Sequence, residues 1–264
     1  MIYLISSQDT HYLRIFYGIE DIIEDYISLS ILLEKEKGMR IGIKYSQDLV
    51  NHLLSINYPL VIIEDDGDHF HPAYRFIQLP LEFFRRDAET VARELLGKIV
   101  VVRKGNEIVA GKIVETEAYY GMNDPASRAH RGKKNYNKGM WLPGGHIFIY
   151  MVHANWMFNI TTDYQEAQAV LIRAVEPLAG LKFMYERRKR KLKELCDGPG
   201  KWTRAFGIDK KMNELPLGNS VLVLESPWKN PKMKRSHRMG VSEDVDEPLR
   251  FFIPSKFTSN NRVF

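Results

Sequence analysis

Apolar and polar positions alternate with two different periods along this chain, and the changes of period mark out its elements. Ile2–Ser6, Met39–Tyr45 and Leu60–Ile63 are short runs rich in Ile, Leu and Val, and predict strands. Between them, Ile19–Lys37 and Ser46–Ile56 carry apolar residues at helical spacing. Gly38 stops the first of these helices and Pro59 follows the second. The βαβαβ order predicts a small α/β module over about the first 65 residues. We set its limits at residues 1–76, with a second domain over residues 77–264.

From Leu79 the pattern changes. A helical period over Asp87–Leu96 ends at Gly97, and a strand follows it. Lys104-Gly105-Asn106 supplies turn residues, and Glu107–Tyr120 returns as the second arm of a hairpin. The loop after it, GMNDPASRAHRGKKNYNKG, is too rich in Gly, Pro, Asn and Lys for a regular element. Gly145–Val152 and Trp156–Thr161 form a second hairpin joined at His153-Ala154-Asn155, with His153 at its tip. Ala169–Val175 predicts a further strand, Pro177–Leu195 a helix with the basic run RRKRKLK, and Trp202–Phe206 a short helix. Residues 221–226, 238–242 and 248–254 predict short strands.

One stretch is poorly suited to a core. In KIVETEAYY, residues 112–120, strand alternation places Glu115, Glu117 and Tyr119 on one face. Two carboxylates and a phenol on one face suit a site better than a core. Arg173, in an otherwise apolar strand, needs an anion for its charge, either an acid of the chain or a substrate group. Two other stretches lead away from the chemistry they suggest. The acids and histidines of EDDGDHFHP, residues 64–72, have neither EF-hand nor zinc spacing, so no metal is expected there. Asp197-Gly198-Pro199-Gly200-Lys201 lacks the distal glycine of a P-loop, where Leu195 stands, and has Trp202 in place of the Ser or Thr.

Composition bounds what such a site can serve. Hydrophobic residues at 44% with 27% charged describe a globular chain rather than a disordered one. No apolar run is long enough to cross a bilayer, and the first ten residues lack the features of a secretion signal. A lone cysteine, Cys196, forms no intramolecular disulfide, which fits a reducing, intracellular location. Residues 1–78 hold twelve acids against six bases, a net −6 where the whole chain is +5, so the remainder carries +11. A body so basic suits a phosphate backbone, although solvated lysines account for many such excesses.

The segments LPLEFF, LLGK, IVETEAYYG, DPASRAHRG, GHIFIYMV, FNITT, LIRAVEPLAG, LCDGPGKWTRAFGI, RMGVS and PLRFFIP follow one another in this order. With them, the chain from about Leu79 to Asn260 resembles the alkyladenine (3-methyladenine, or methylpurine) DNA glycosylase family. The resemblance implies an α+β fold. Its sheet would be mixed, mostly antiparallel and curved, with peripheral helices and a protruding β-hairpin, here preceded by the small α/β module. It implies a monofunctional enzyme that flips a damaged purine out of duplex DNA, hydrolyses its N-glycosidic bond and leaves an abasic site, without metal or cofactor. The purines concerned are 3-methyladenine, 7-methylguanine, hypoxanthine and ethenoadenine.

Hydrolysis of such a bond needs an activated water beside an oxocarbenium-like sugar. The resemblance gives that task to Glu117, with Arg173 positioning it, and leaves Glu115 a structural part. It implies that Tyr119 and Tyr150 flank the flipped base, and that Asn159 disfavours the exocyclic amine of normal guanine. The hairpin tip would enter the duplex, with His153 in the wedge position where the family usually has an aromatic residue. Arg128 stands where the family usually has histidine, and its fixed charge would favour neutral lesions over cationic ones. Lys133, Lys134 and Lys138 of the polar loop, with Lys201 of the GPGK turn, are the expected DNA contacts. The expected partner is damaged double-stranded DNA, bound by a monomer, with a protein partner at the N-terminal module as a further reading. The compartment would be the cytoplasm, at the nucleoid, in a prokaryote and the nucleus in a eukaryote. The competing reading is a non-catalytic nucleic-acid-binding protein on the same fold.

Overall fold

The structure is a computed structural model of the chain. It describes residues 78–104, 107–162, 166–225 and 232–259, together with four strands nearer the N-terminus. Those strands are β1 (Ile2–Ile5), β2 (Asp21–Ile23), β3 (Ile41–Lys44) and β4 (Leu60–Ile63). The chain divides into two compact units, Met1–Gln78 with Glu225–Pro227, and Leu79–Leu224 with Trp228–Phe264.

In the first unit the strands lie in the order β2-β3-β1-β4, every pair parallel. Parallel neighbours require crossover connections, which is the α/β pattern. β2 corrects the sequence reading, because it falls inside the stretch expected to be helical from Ile19. Its β-branched Ile22 and Ile23 pair with Gly42 and Ile43, and that pairing outweighs the helical spacing. The two helices expected in this unit, apart from the part taken by β2, and the cluster at 64–72 lie outside the described residues.

The second unit is α+β. An eight-stranded, curved antiparallel sheet runs β10-β5-β6-β9-β8-β7, with β12 and β11 joined to one edge of β6. Its strands are β5 (Ile99–Lys104), β6 (Glu107–Tyr119), β7 (Ile147–Val152), β8 (Asn155–Thr161), β9 (Ala169–Ala179), β10 (Val221–Leu224), β11 (Lys234–Ser236) and β12 (Arg250–Phe252). The 13-residue β6 organises it. Its first half pairs with β5, its Glu115–Glu117 stretch pairs with β12, and β9 runs along its other edge. Register shifts around Glu115 in the β6–β9 ladder bend the strand, as bulges do.

Among the described residues, four short α-helices pack against this sheet: α1 (Leu81–Phe84), α2 (Ala88–Glu94), α3 (Leu181–Arg188) and α4 (Pro199–Ala205). Asp87 caps α2 by accepting the Thr90 N–H at 3.1 Å. Pro199 opens α4, where its missing N–H costs nothing. The core gathers on Trp202, which is fully buried between Phe158 and Phe206 and donates its indole N–H to Ile172 O at 2.8 Å.

Three sequence expectations need correcting here. β9 continues to Ala179, and the helix expected from Pro177 begins at Leu181. Pro177 is tolerated because it faces Gly111 where the ladder slips register, so its absent N–H breaks no regular pairing. The same helix ends at Arg188, so the basic run 187–193 does not ride on one helical face. Residues 238–242 are not a strand but a loop turning at Gly240, where φ is 73°.

Candidate functional site

The bend in β6 sets Glu115 and Glu117 on the side of the sheet where Arg173 projects from β9. Both carboxylates are fully buried, and one guanidinium joins them. Arg173 Nε donates to Glu115 Oε1 at 3.0 Å, and Nη1 donates to Glu117 Oε2 at 3.1 Å. The anion that Arg173 demands is therefore a pair of acids two residues apart.

The two acids have different surroundings. Glu115 is enclosed by donors: besides Arg173, it takes Arg250 Nε at 2.7 Å, the Ser259 N–H at 2.7 Å and the Ser259 hydroxyl at 2.6 Å. Glu117 Oε1 accepts the Met239 N–H at 2.8 Å, and Oε2 accepts the Tyr119 hydroxyl at 2.8 Å beside Arg173. Burial pushes the Glu117 carboxyl above its ordinary 4.5, a push to which Glu115 adds. Arg173, the Met239 N–H and Tyr119 pull it back without cancelling the rise. Burial works against the Arg173 charge, but Glu117 and Glu115 outweigh it and hold the guanidinium above its usual value.

An open cleft of about 580 Å³ is lined by all three hydrogen-bond partners of Glu117, namely Tyr119, Arg173 and Met239, though not by the buried Glu117 itself. Tyr150, Arg128, His153 and Lys201 also line it. Burial holds both phenols above their ordinary values, with Glu117 adding to the effect at Tyr119, so both rings are neutral. The Arg128 guanidinium sits 4.6 Å from the centre of the Tyr150 ring. His153 and Ala154 form the two-residue turn of the β7–β8 hairpin, both with positive φ, 45° and 58°, and both exposed.

Not every expected residue reaches this cleft. Asn159 is buried in β8 outside its lining, and its amide nitrogen donates to Phe148 O at 3.1 Å and Met157 O at 3.3 Å. Lys138 lines a different cleft and faces Glu214 at 3.5 Å. Lys133 lies 6.0 Å from the Trp141 ring centre, and Lys134 is exposed elsewhere on the polar loop. Lys201 reaches the cleft with its charge against Asp197 at 2.9 Å.

Sequence reasoning missed the residues that support the site. Arg238 is gripped by Asp124 at 2.5 and 2.7 Å and by Asp244 at 2.6 and 2.8 Å, and its guanidinium lies 4.6 Å from the Tyr119 ring centre. Burial opposes its charge, but the two aspartates hold it above the ordinary value. It thereby fixes the loop that delivers the Met239 N–H. Arg250 plays the matching part for Glu115. Both arginines stand beside apolar residues, in RMGV and LRFF, and that was the signal that singled out Arg173. Among the described residues, no group of three or more His, Cys, Asp or Glu is placed to hold a metal ion, and no helix is long and apolar enough to cross a membrane.

A buried carboxylate of raised proton affinity, behind a cleft floored by a neutral phenol and a fixed guanidinium, can take a proton from water and face developing positive charge. The chain is also similar to known proteins. Over residues 82–257 the chain matches the family model described as methylpurine-DNA glycosylase. It is 39% identical over 193 residues to a protein of Agrobacterium fabrum, a match spanning 70% of this chain and 96% of that one. Proteins of Methanoculleus marisnigri and Carboxydothermus hydrogenoformans are each 38% identical, over 66% of this chain and 94% of theirs. All three carry the name "Putative 3-methyladenine DNA glycosylase".

Proposed function

The chain belongs to the methylpurine-DNA glycosylase family, and from that premise we propose that it excises damaged purines from duplex DNA with Glu117 as the general base. The observation that carries this reading is the setting of Glu117. Its two oxygens accept three hydrogen bonds, and a carboxylate has about four lone-pair positions, so one remains for a water. Glu117 itself does not line the cleft, but Tyr119, Arg173 and Met239 all border it, so the water this reading requires would reach Glu117 between them.

In this mechanism a purine turned out of the duplex enters between Tyr119 and Tyr150. As the N-glycosidic bond lengthens, positive charge grows on the sugar, and the Glu117 carboxylate stabilises it through space. Water attacks C1′ and passes its proton to Glu117. The base leaves with the bonding electrons, and an abasic site remains. Arg173 keeps Glu117 oriented while Glu115, caged by its own donors, holds Arg173. His153 enters the duplex at the hairpin tip and fills the gap. Asn159 enters as a support of the wall, tying the carbonyls of Phe148 and Met157. No residue in this sequence of steps requires a metal or a cofactor.

Arg128 sets the lesion class. Its guanidinium lies at stacking distance from Tyr150, so a cationic purine entering there meets a fixed like charge. At about 4 Å that repulsion is roughly 1–4 kcal/mol in a partly solvated cleft, enough to shift preference towards hypoxanthine or ethenoadenine. The test is single-turnover base release from duplexes carrying hypoxanthine or 7-methylguanine, scored as alkali-labile sites. Wild type should release hypoxanthine, Glu117→Gln should release neither, and Arg128→His should raise 7-methylguanine release relative to hypoxanthine. Wild type yielding no more sites than Glu117→Gln would overturn the enzymatic reading in favour of simple nucleic-acid binding.

A further inference from the structure

A second cleft, of about 600 Å³, shares Arg128 and Tyr150 with the first and is lined along the β7–β8 hairpin by Met151 and Trp156. Its composition is unusual for open surface. Three aromatic rings line it, those of Tyr136, Tyr150 and Trp156. Only five large hydrophobic side chains are exposed among the described residues, and two of them, Tyr136 at 57% and Met151 at 54%, stand here. A third, Leu215, follows the lining residue Glu214 in the chain. Three cations, Arg128, Lys138 and Lys210, border the same space against the single carboxylate of Glu214.

Tyr136 is exposed and Tyr150 and Trp156 are half-buried; rings interleaved with positive charge are what an unstacked nucleotide needs, faces for the base and cations for the phosphate. A protein surface would be matched by the apolar groups but not by the excess of cations. Continuity with the first cleft identifies which nucleic acid. The Arg128–Tyr150 pair borders both clefts, so DNA that places one nucleotide in the first has the second within reach.

We propose that the second cleft receives the base that faced the lesion, left without a partner once the damaged purine has turned out. Tyr136 and Met151 stack on that base while Lys138 and Lys210 hold its phosphate. This assignment rests on the function proposed above. It adds a reason for the lesion strand to stay open, since each strand then has a stacking site of its own.

The experiment uses the full chain and two duplexes, each with a reduced abasic analogue in place of the lesion. One keeps a normal base opposite the analogue, and the other lacks a base on both strands at that step. Binding is followed by fluorescence anisotropy at fixed salt. Wild type should bind the first duplex roughly tenfold more tightly, the scale of one base–aromatic stack. Tyr136→Ala and Met151→Ala should lose most of that preference, and Tyr136→Phe should keep it. Equal wild-type affinity for the two duplexes overturns the proposal. So does a loss in Tyr136→Ala that is the same on both, which would assign the cleft to a neighbouring nucleotide of the lesion strand. Base release by wild type is scored on the same preparations, so a failure of the catalytic reading shows separately from a failure of this one.

Discussion

Replacing each site glutamate by glutamine should separate two effects that a shared arginine ties together. Glu115 holds two buried guanidinium groups and both polar groups of Ser259. Glu115→Gln keeps the shape but leaves Arg250 without its carboxylate, and forces amide hydrogens against cationic donors. Removing one partner of a buried pair costs about 3–5 kcal/mol. For a unit of this size that lowers the urea midpoint by roughly 1–2 M.

Glu117→Gln should behave in the opposite way. Burial already raises the Glu117 carboxyl above 4.5, so its charge opposes folding at neutral pH. That penalty is fully present above the raised folded value, where the group is ionised whether folded or not. It vanishes below the ordinary value, where the group is protonated in both states. A neutral isostere removes the penalty while losing attraction to Arg173. The net change at pH 7 should therefore lie within about 1 kcal/mol of wild type. Base release should nevertheless fall by at least roughly 10²-fold, the lower end of general-base effects. Urea melts and single-turnover release on the same preparations decide the matter. If Glu117→Gln destabilises as much as Glu115→Gln, the charge of Glu117 serves the fold and not the reaction. If Glu115→Gln melts like wild type, the cage around Glu115 carries no weight.

Two further outcomes follow from the site and the hairpin. Since the base works only when ionised, the acid limb of kcat/KM should lie above 4.5, with activity lost as pH falls through the raised value; a limb at or below 4.5 would contradict the burial argument. Ala154 has a φ of 58°, where an L-residue other than Gly is strained, so Ala154→Gly should stabilise the protein by about 1 kcal/mol and raise Tm by roughly 2–4 °C, as calorimetry can check.

Much of the site's chemistry was legible because it violated local rules. Two acids and a phenol on one strand face, and an arginine among aliphatics, have no place in a simple core. The structure joins all four: Tyr119 and Arg173 both donate to Glu117, and Arg173 also donates to Glu115. The hairpins were legible too, because turn residues and period-two runs are local signals. What was not legible depends on pairing across long stretches of chain. Nothing in PLRFFIP says that Arg250 lies opposite Glu117 and reaches back to Glu115. Pro177 read as a helix start because the bulge that accommodates it is made by β6, more than sixty residues earlier. Ile22 and Ile23 read as helix because their partner strand comes later in the chain. Asn159 could be located on a strand, but whether its amide faced the cleft or the backbone is settled by Phe148 and Met157 around it.

The cage around Glu115 also governs when the site can exist during synthesis. Glu115 and Glu117 leave the ribosome early, yet Arg173 follows 58 residues after Glu115, Met239 follows 122 after Glu117, and Arg250 and Ser259 follow 135 and 144 after Glu115. Until those donors arrive, burying the two carboxylates is unfavourable. The centre of β6 must therefore stay hydrated and loosely packed while β12 is still being made. Under the proposed function, such a unit gains its carboxylate base and its last structural lock together, so no partly made chain would carry a competent site to DNA.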